Sequence, residues 1–452
     1  MNTEEQPPQI VEYRCPGQQH AISRAVHLGR LAAFYPPCRQ CPHRDDTGTL
    51  SPRQVEQLQE VQASNPPRSL FHDEGAGGVY LNDLTPAAAR DVAAAFGILM
   101  GGEGRGMGDD GLIQHSSVII PPSSNPQSPI PNPSIILAGD GRAITAELSA
   151  AVGEGLRSSG CHVVDVGPAT AAALAFTVHH LHATGGMLVG NPTAEPHLVG
   201  LQFWAAGPPS LTAAGPMPLS AGGSLEPIAE RYDAGVDRPT RSYGTWQRFQ
   251  AEGPYLAAMS EHYHALRPLR VVLDSASGPL GQYLQKLTAA VACQAIPRRV
   301  TRHDLPEQVR SDAAHFAACV DGDGETCRVL DEQGQPVPAE RLLLLLARHC
   351  LLTSETQPAT ILLEEATPPA VGRRIEKLGG RVVIGRGRRA DMAAAMREHQ
   401  ATMGGGLDGR HWHRTAGVVL PDALMTITHL LTLLSRSDEP FSTVLDREAP
   451  PG

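Results

Sequence analysis

At 452 residues the chain exceeds what one ordinary core encloses, which predicts several domains. A hydrophobic share of 41% excludes a disordered protein, while 46 glycines, 39 prolines and only 4% aromatic residues predict many turns and small-residue packing. The formal net charge of -10 excludes a concentrated basic face, so nucleic acid is not an expected partner.

The opening MNTEEQPPQIVEY is acidic and polar and lacks the pattern of a secretory signal. The most apolar run, Leu342 to Leu352, is broken by Arg348 and His349 and is too short to cross a bilayer. A cytoplasmic protein with no membrane partner is therefore expected. Next comes CPGQQHAISRAVHLGRLAAFYPPCRQCPHR, whose middle, Ala21 to Phe34, carries Ile22, Val26, Leu28 and Leu31 at helical spacing. Cys38-x2-Cys41 is a knuckle that can grip a metal through two thiolates. Cys15 could add a third ligand, and His20 or His43 a fourth. The cluster reads either as a zinc site or as a helical extension whose cysteines are free. The other cysteines, Cys161, Cys293, Cys319, Cys327 and Cys350, fall in apolar patterns and read as small core residues.

Gln54 to Asn65 predicts a surface helix, and Asn65-Pro66-Pro67 a boundary. From Ser69 short apolar strands alternate with Ala-rich helices. Thr85-Pro86 starts a helix running to Met100, with proline at its first turn. The segment 101–133 ends in PPSSNPQSPIPNP and reads as a flexible insertion. Then come strand Ile135–Leu137, helix Glu147–Ser158, strand His162–Val166, helix Ala171–His182 and strands Met187–Val189 and Leu201–Trp204. A linker-like span follows, then helix Gly253–His264, strand Leu269–Asp274, and strand Ala317–Val320 running into DGDGE. Helix Ala339–Cys350, strand Thr360–Leu363, helix Pro369–Leu378 and strand Arg381–Ile384 complete the series. Such alternation implies mostly parallel sheets covered on both faces. The fold class is α/β, with an N-terminal extension (1–66), three α/β/α units (67–212, 213–334, 335–437) and a tail (438–452).

Six stretches in order resemble the α-D-phosphohexomutase superfamily, the phosphoglucomutase and phosphomannomutase relatives. They are SLFHDEGAGGVYLNDLTP, ILAGDGR, GGMLVGNPTAEPHLVGLQFW, LRVVLDSASGPLG, FAACVDGDGETCRVLDEQG and ATMGGGLDGRHWH. The resemblance implies a phosphorylated serine in the loop after Gly185-Gly186, beside a Mg²⁺ that offsets the charge of the moving phosphoryl group. Aligned without gaps, the serine position is Pro192 and the next residue Thr193. Aligned on Asn191-Pro192 instead, the serine position is Val189. Neither register supplies a side-chain oxygen. Thr193 is the one hydroxyl that could substitute, and a one-residue shift in extended chain moves a side chain by ~3.3 Å to the other face.

Other departures accompany this one. Glu74 and Gly77 replace the family's serine and arginine in the opening motif, and Gly139 replaces an arginine, although Asp140 and Arg142 remain as substrate-binding candidates. Asp408 and Arg410 are the corresponding candidates in the sugar loop, where Gly406 and Leu407 also differ. Asp321, Asp323 and Glu325 match the metal loop and imply weak Mg²⁺ binding; the alternative is a solvated turn kept for its glycines. Beyond Asp438 only a short tail follows, which predicts three family domains without the fourth. Histidines at 179, 180, 182, 411 and 413 read as surface or satisfied core groups. Arg386-Gly387-Arg388-Arg389 reads as a solvated basic face.

Three functions stay open. One is a non-catalytic homologue that binds a phosphosugar or regulates, with the N-terminal segment holding a metal or docking a protein partner. Another is a divergent mutase using Thr193 or a metal-activated water. The last is a structural scaffold.

Overall fold

The computed structural model describes residues 13–16, 20–35, 37–38, 41–62, 69–101, 132–190, 195–206, 215–236, 243–274, 278–298, 304–354, 357–415 and 417–451. Pro192 and Thr193 lie outside these residues, as does nearly all of the 101–133 insertion. Among the described residues no helix is long and apolar enough to cross a membrane.

Three sheets form in chain order. The first holds β1 (Phe71–His72), β2 (Gly75–Val79), β3 (Ser134–Gly139), β4 (His162–Pro168), β5 (Gly185–Gly190), β6 (Leu198–Ala205), β7 (Met217–Pro218) and β8 (Trp246–Arg248). Its order is β1-β2-β6-β5-β3-β4-β8, with β7 on β6. The second holds β9 (Arg270–Leu273), β10 (Gln294–Pro297), β11 (Phe316–Val320) and β12 (Cys327–Leu330), in the order β10-β9-β11-β12. The third holds β13 (Thr360–Glu364), β14 (Arg381–Gly385), β15 (Met403–Gly405), β16 (His411–Thr415) and β17 (Val418–Pro421), in the order β14-β13-β15-β16-β17. Each has a parallel centre (β5-β3-β4-β8, β10-β9-β11, β14-β13-β15) and antiparallel strands beyond it. The parallel strands are apolar on both faces, as burial between helix layers requires: Ile135, Ile136 and Leu137 of β3 and Ile361, Leu362 and Leu363 of β13 are all buried.

Two expected boundaries shift. The first sheet collects β7 and β8, which lie beyond residue 212, because β4 still has an open edge that Trp246–Arg248 pairs in parallel. Gly153 permits that return: a Cβ there would collide with the Trp246 ring. The expected tail contains a helix, Phe441–Glu448, whose Phe441, Val444 and Leu445 are buried. The Phe441 ring meets Phe316 of β11 at 6.0 Å, so apolar spacing fixes this segment onto the core.

One hydrophobic cluster runs through all three sheets, from Val164 and Trp204 through Val271 and Phe316 to Ile361 and Trp412. A second fills the other face of the first sheet and includes Leu31, Phe34 and Leu58 from the N-terminal helices Arg24–Ala32 and Pro52–Gln62. The extension therefore shares a core with the first sheet.

Candidate functional site

In sheets with parallel strands the carboxyl ends are the usual place for a site. Asp140 follows β3, Asp321 follows β11, Glu364 ends β13 and Asp408 follows β15. Val189 lies inside β5, fully buried and paired with Leu201 and Gly139.

The acidic loop is held by neighbours from each side. Ala171 N–H, which opens the helix Ala171–His180, donates to the Asp323 carbonyl (2.8 Å), and Ala423 N–H, which opens the helix Ala423–Leu434, donates to the Gly324 carbonyl (2.9 Å). Cys327 N–H donates to the Gly409 carbonyl at 2.8 Å, tying the loop to the Asp408–Arg410 turn. Gly324 adopts φ +77°, and a Cβ there would come within 2.8 Å of Thr170 Cγ2. A glycine is required here for both reasons.

The loop is buried, not a solvated turn. Asp321, Asp323 and Glu325 are 8%, 1% and 2% exposed. Each carboxylate is already engaged. Asp321 Oδ2 accepts from Thr326 Oγ1. Asp323 Oδ2 accepts from Gln202 Nε2 (3.0 Å) and its Oδ1 from the Glu325 N–H (3.1 Å). Glu325 Oε1 accepts from Arg389 Nη2. Burial raises the pKa of both Asp323 and Glu325, and Arg389 pulls both back. Among the described residues no group of three or more His, Cys, Asp or Glu side chains is arranged to hold a metal. The donor set does not fit a divalent ion, because both Asp323 oxygens and one oxygen each of Asp321 and Glu325 are turned to protein donors.

Arg389 is the residue that sequence reading misplaced. It opens the helix Arg389–Glu398, is 1% exposed, and lies 4.8 Å over the Trp204 ring, so it is no part of a solvated face. Its Nε stands 3.6 Å from Glu74 Oε2, and its backbone N–H donates to Glu74 Oε1 at 3.3 Å. Arg410 Nη1 lies 3.5 Å from Glu74 Oε1, and its Nε 3.5 Å from Asp408 Oδ2. Burial works against the Arg410 charge, yet Glu325, Glu74 and Asp408 together hold its pKa above the ordinary value. Glu364 was also missed. Burial, with Asp408 nearby, pushes it up to about 7. Two signals were legible: Gln202 interrupts an apolar strand, and Arg389 starts a helix just after a parallel strand.

Asp140 and Arg142 serve the chain itself. Asp140 is buried and accepts from Arg142 Nε (2.6 Å), the Arg142 N–H (3.0 Å) and Thr145 Oγ1 (2.9 Å). Arg142 Nη1 donates to the Pro196 and Leu198 carbonyls at 3.0 and 2.9 Å, fastening the residues that follow 191–194. The same segment is gripped by the N-terminal helix: Glu195 pairs with Arg53 and accepts from Gln57 Nε2 (2.7 Å), while His197 Nε2 lies 3.3 Å from Glu60 Oε2.

The expected zinc cluster does not assemble among the described residues. Cys15, Cys38 and Cys41 are buried, and burial, with Cys15 and Cys41 nearby, pushes the Cys38 thiol up to about 11. Arg30 Nη1 donates to Cys15 Sγ at 2.9 Å, giving that sulfur a protein partner. His20 is exposed, and His43 stands edge-on to Tyr13 at 5.3 Å within a ring group that also holds His27. His411 and His413 are buried; His413 bonds Thr426 Oγ1 at 2.9 Å, whereas neither His411 nitrogen has a hydrogen-bond partner.

Residues 123–200 match the family described as phosphoglucomutase/phosphomannomutase, alpha/beta/alpha domain I. The chain is 22% identical over 406 residues to a phosphoglucomutase/phosphomannomutase of Thermococcus kodakarensis, covering 83% of this chain and 79% of the relative. It is 25% identical over 338 residues to a phosphoglucosamine mutase of Synechocystis, covering 70% and 68%. A solved phosphoglucomutase/phosphomannomutase family protein from Burkholderia thailandensis shares the fold with a TM-score of 0.69 at 20% identity, over 86% of this chain and 81% of that one. Residues 123–200 thus match domain I of that family, and the chain as a whole is similar in sequence and in fold to these α-D-phosphohexomutase relatives.

Proposed function

We propose that this chain is a non-catalytic phosphohexomutase homologue, one that binds a phosphosugar or regulates its handling. The observation that carries this reading is that charged groups around the shared centre pair with each other: Glu74 with Arg389 and Arg410, Glu325 with Arg389, Asp408 with Arg410. Phosphoryl transfer needs an in-line nucleophile and charge free to meet the moving phosphate. Sequence supports the same reading, since both alignments put a residue without a side-chain oxygen, Pro192 or Val189, at the serine position. The departures at Glu74, Glu325, Asp408 and Arg410 then form one coupled change.

The test is interconversion of hexose 1-phosphates and hexose 6-phosphates by the full chain, with a thermal-shift screen of the same sugars. No turnover, with a sugar phosphate raising the melting temperature, is the expected result. Turnover that disappears in Asp321→Asn and Asp323→Asn overturns it and favours a divergent mutase, the activity named for the relatives.

A further inference from the structure

Three carboxylates placed at alternate positions in a buried loop require positive charge close by, since an uncompensated buried carboxylate costs several kcal/mol, about the penalty estimated for one desolvated ion. A divalent ion would meet that need by taking six or more oxygen ligands, about the number hard cations prefer. Here the oxygens face other groups. Asp321 faces Thr326, Asp323 faces Gln202 and the Glu325 N–H, and Glu325 faces the guanidinium of Arg389. Arg389 comes from the third sheet's side of the molecule, reaches the loop from the first turn of its helix, and is walled by Trp204 of β6. Glu74 stands beside the same guanidinium and accepts the N–H at that helix start, so helix, side chain and opening motif lock together.

We propose that the Arg389 guanidinium is the resident cation of the acidic loop, standing in permanently for a divalent metal. Arginine suits the position: its charge is planar, delocalised and never titrated away, and it is less strongly hydrated than an ammonium. Unlike an ion, it cannot dissociate or exchange, and it brings hydrogen-bond donors where a metal would bring open coordination positions. The chain therefore needs no Mg²⁺ to fold and takes none at Asp321, Asp323 and Glu325. The inference builds on the non-catalytic reading, but its test does not depend on turnover.

The experiment is Mn²⁺ binding to the chelator-treated full chain, followed by electron paramagnetic resonance and by melting temperature. Wild type should show no Mn²⁺ bound at this loop and no metal-dependent shift. Arg389→Ala and Arg389→Gln should each gain Mn²⁺ affinity by about tenfold or more, roughly 1.4 kcal/mol. Adding Asp323→Asn should remove that gain. A variant that is poorly folded in chelator should recover its circular dichroism with Mn²⁺. Stoichiometric Mn²⁺ on wild type, lost in Asp323→Asn, overturns the proposal, as does the absence of any Mn²⁺ response in both Arg389 variants. Mutase turnover persisting in chelator would end the non-catalytic reading and leave Arg389 in its role; Mn²⁺ on an inactive wild type would do the reverse.

Discussion

Two buried regions of this molecule handle ionisable groups in opposite ways. Around the acidic loop, opposite charges are paired: Glu325 and Glu74 with Arg389, Glu74 and Asp408 with Arg410. Between the helices Ala339–Thr353 and Ala423–Leu434, His349, His413 and His429 gather with ring centroids 5.0 and 5.1 Å apart. There burial keeps the rings neutral, pulling His349 down to about 4 and His429 to about 3. His411 on the same strand as His413 is likewise pulled down to about 4. A charge kept inside must bring a partner, whereas a base kept inside can give up its proton. The first solution breaks when one partner is removed, and the second when protons are forced on it.

The largest effect should come from breaking a pair. Arg389→Met removes the cation paired with Glu325, leaves Glu74 with Arg410 alone, and should destabilise the chain by about 3–5 kcal/mol in urea unfolding. Combining it with Glu325→Leu should cost less than the sum of the two changes, by about 1–3 kcal/mol of coupling. Simple additivity would show that the pair is not coupled.

Acid titration sharpens the contrast next. His411 and His349 have folded pKa values below the ordinary 6.5, so the unfolded chain binds protons first. Their contribution is complete above 6.5 and is lost as pH falls toward 4, by about 3 kcal/mol for each ring. Glu364 is raised from 4.5 to about 7 and does the opposite: its contribution is complete below 4.5 and is lost as pH rises to 7. Glu364→Gln should therefore steepen the acid loss and add up to about 3 kcal/mol above neutrality, read from unfolding midpoints against pH. An unchanged pH profile would refute the assignment.

A smaller loss is expected at Gly324, whose φ of +77° and contact with Thr170 disfavour a side chain. Gly324→Ala should cost about 1–3 kcal/mol by thermal unfolding. Smallest of all is Arg53→Ala. Its pair with Glu195 is exposed on the arginine side, so less than about 1 kcal/mol should be lost.

Much of the architecture was legible because strand and helix differ in apolar period. The runs Ile135–Leu137 and Thr360–Leu363 lie inside the buried parallel strands β3 and β13, the first extended at both ends and the second by one residue. Segment 438–452 was misread as tail because Phe441, Val444 and Leu445 form one short apolar stripe, and its destination on Phe316 is non-local. In the site, Asp321, Asp323 and Glu325 were found by their spacing and by family resemblance. Arg389 was not, since the difference between a solvated arginine and a buried one lies in Glu74 and Glu325, hundreds and tens of positions away in the chain. For the same reason the cysteines near the start suggested zinc: spacing marks who could meet, while Arg30 at Cys15 and Tyr13 at His43 record who did.

The grip of the Pro52–Gln62 helix on Glu195 and His197 has a practical consequence for anyone shortening the gene. Starting near Ser69, where the likeness to relatives begins, would strip Leu31, Phe34 and Leu58 from an apolar face they cover and leave it wet. Arg53, Gln57 and Glu60 would leave with them, slackening the residues that follow 191–194. The segment without counterpart in the resemblance is thus built into the foundation, and excision there would yield a sticky fragment in place of a tidy minimal domain.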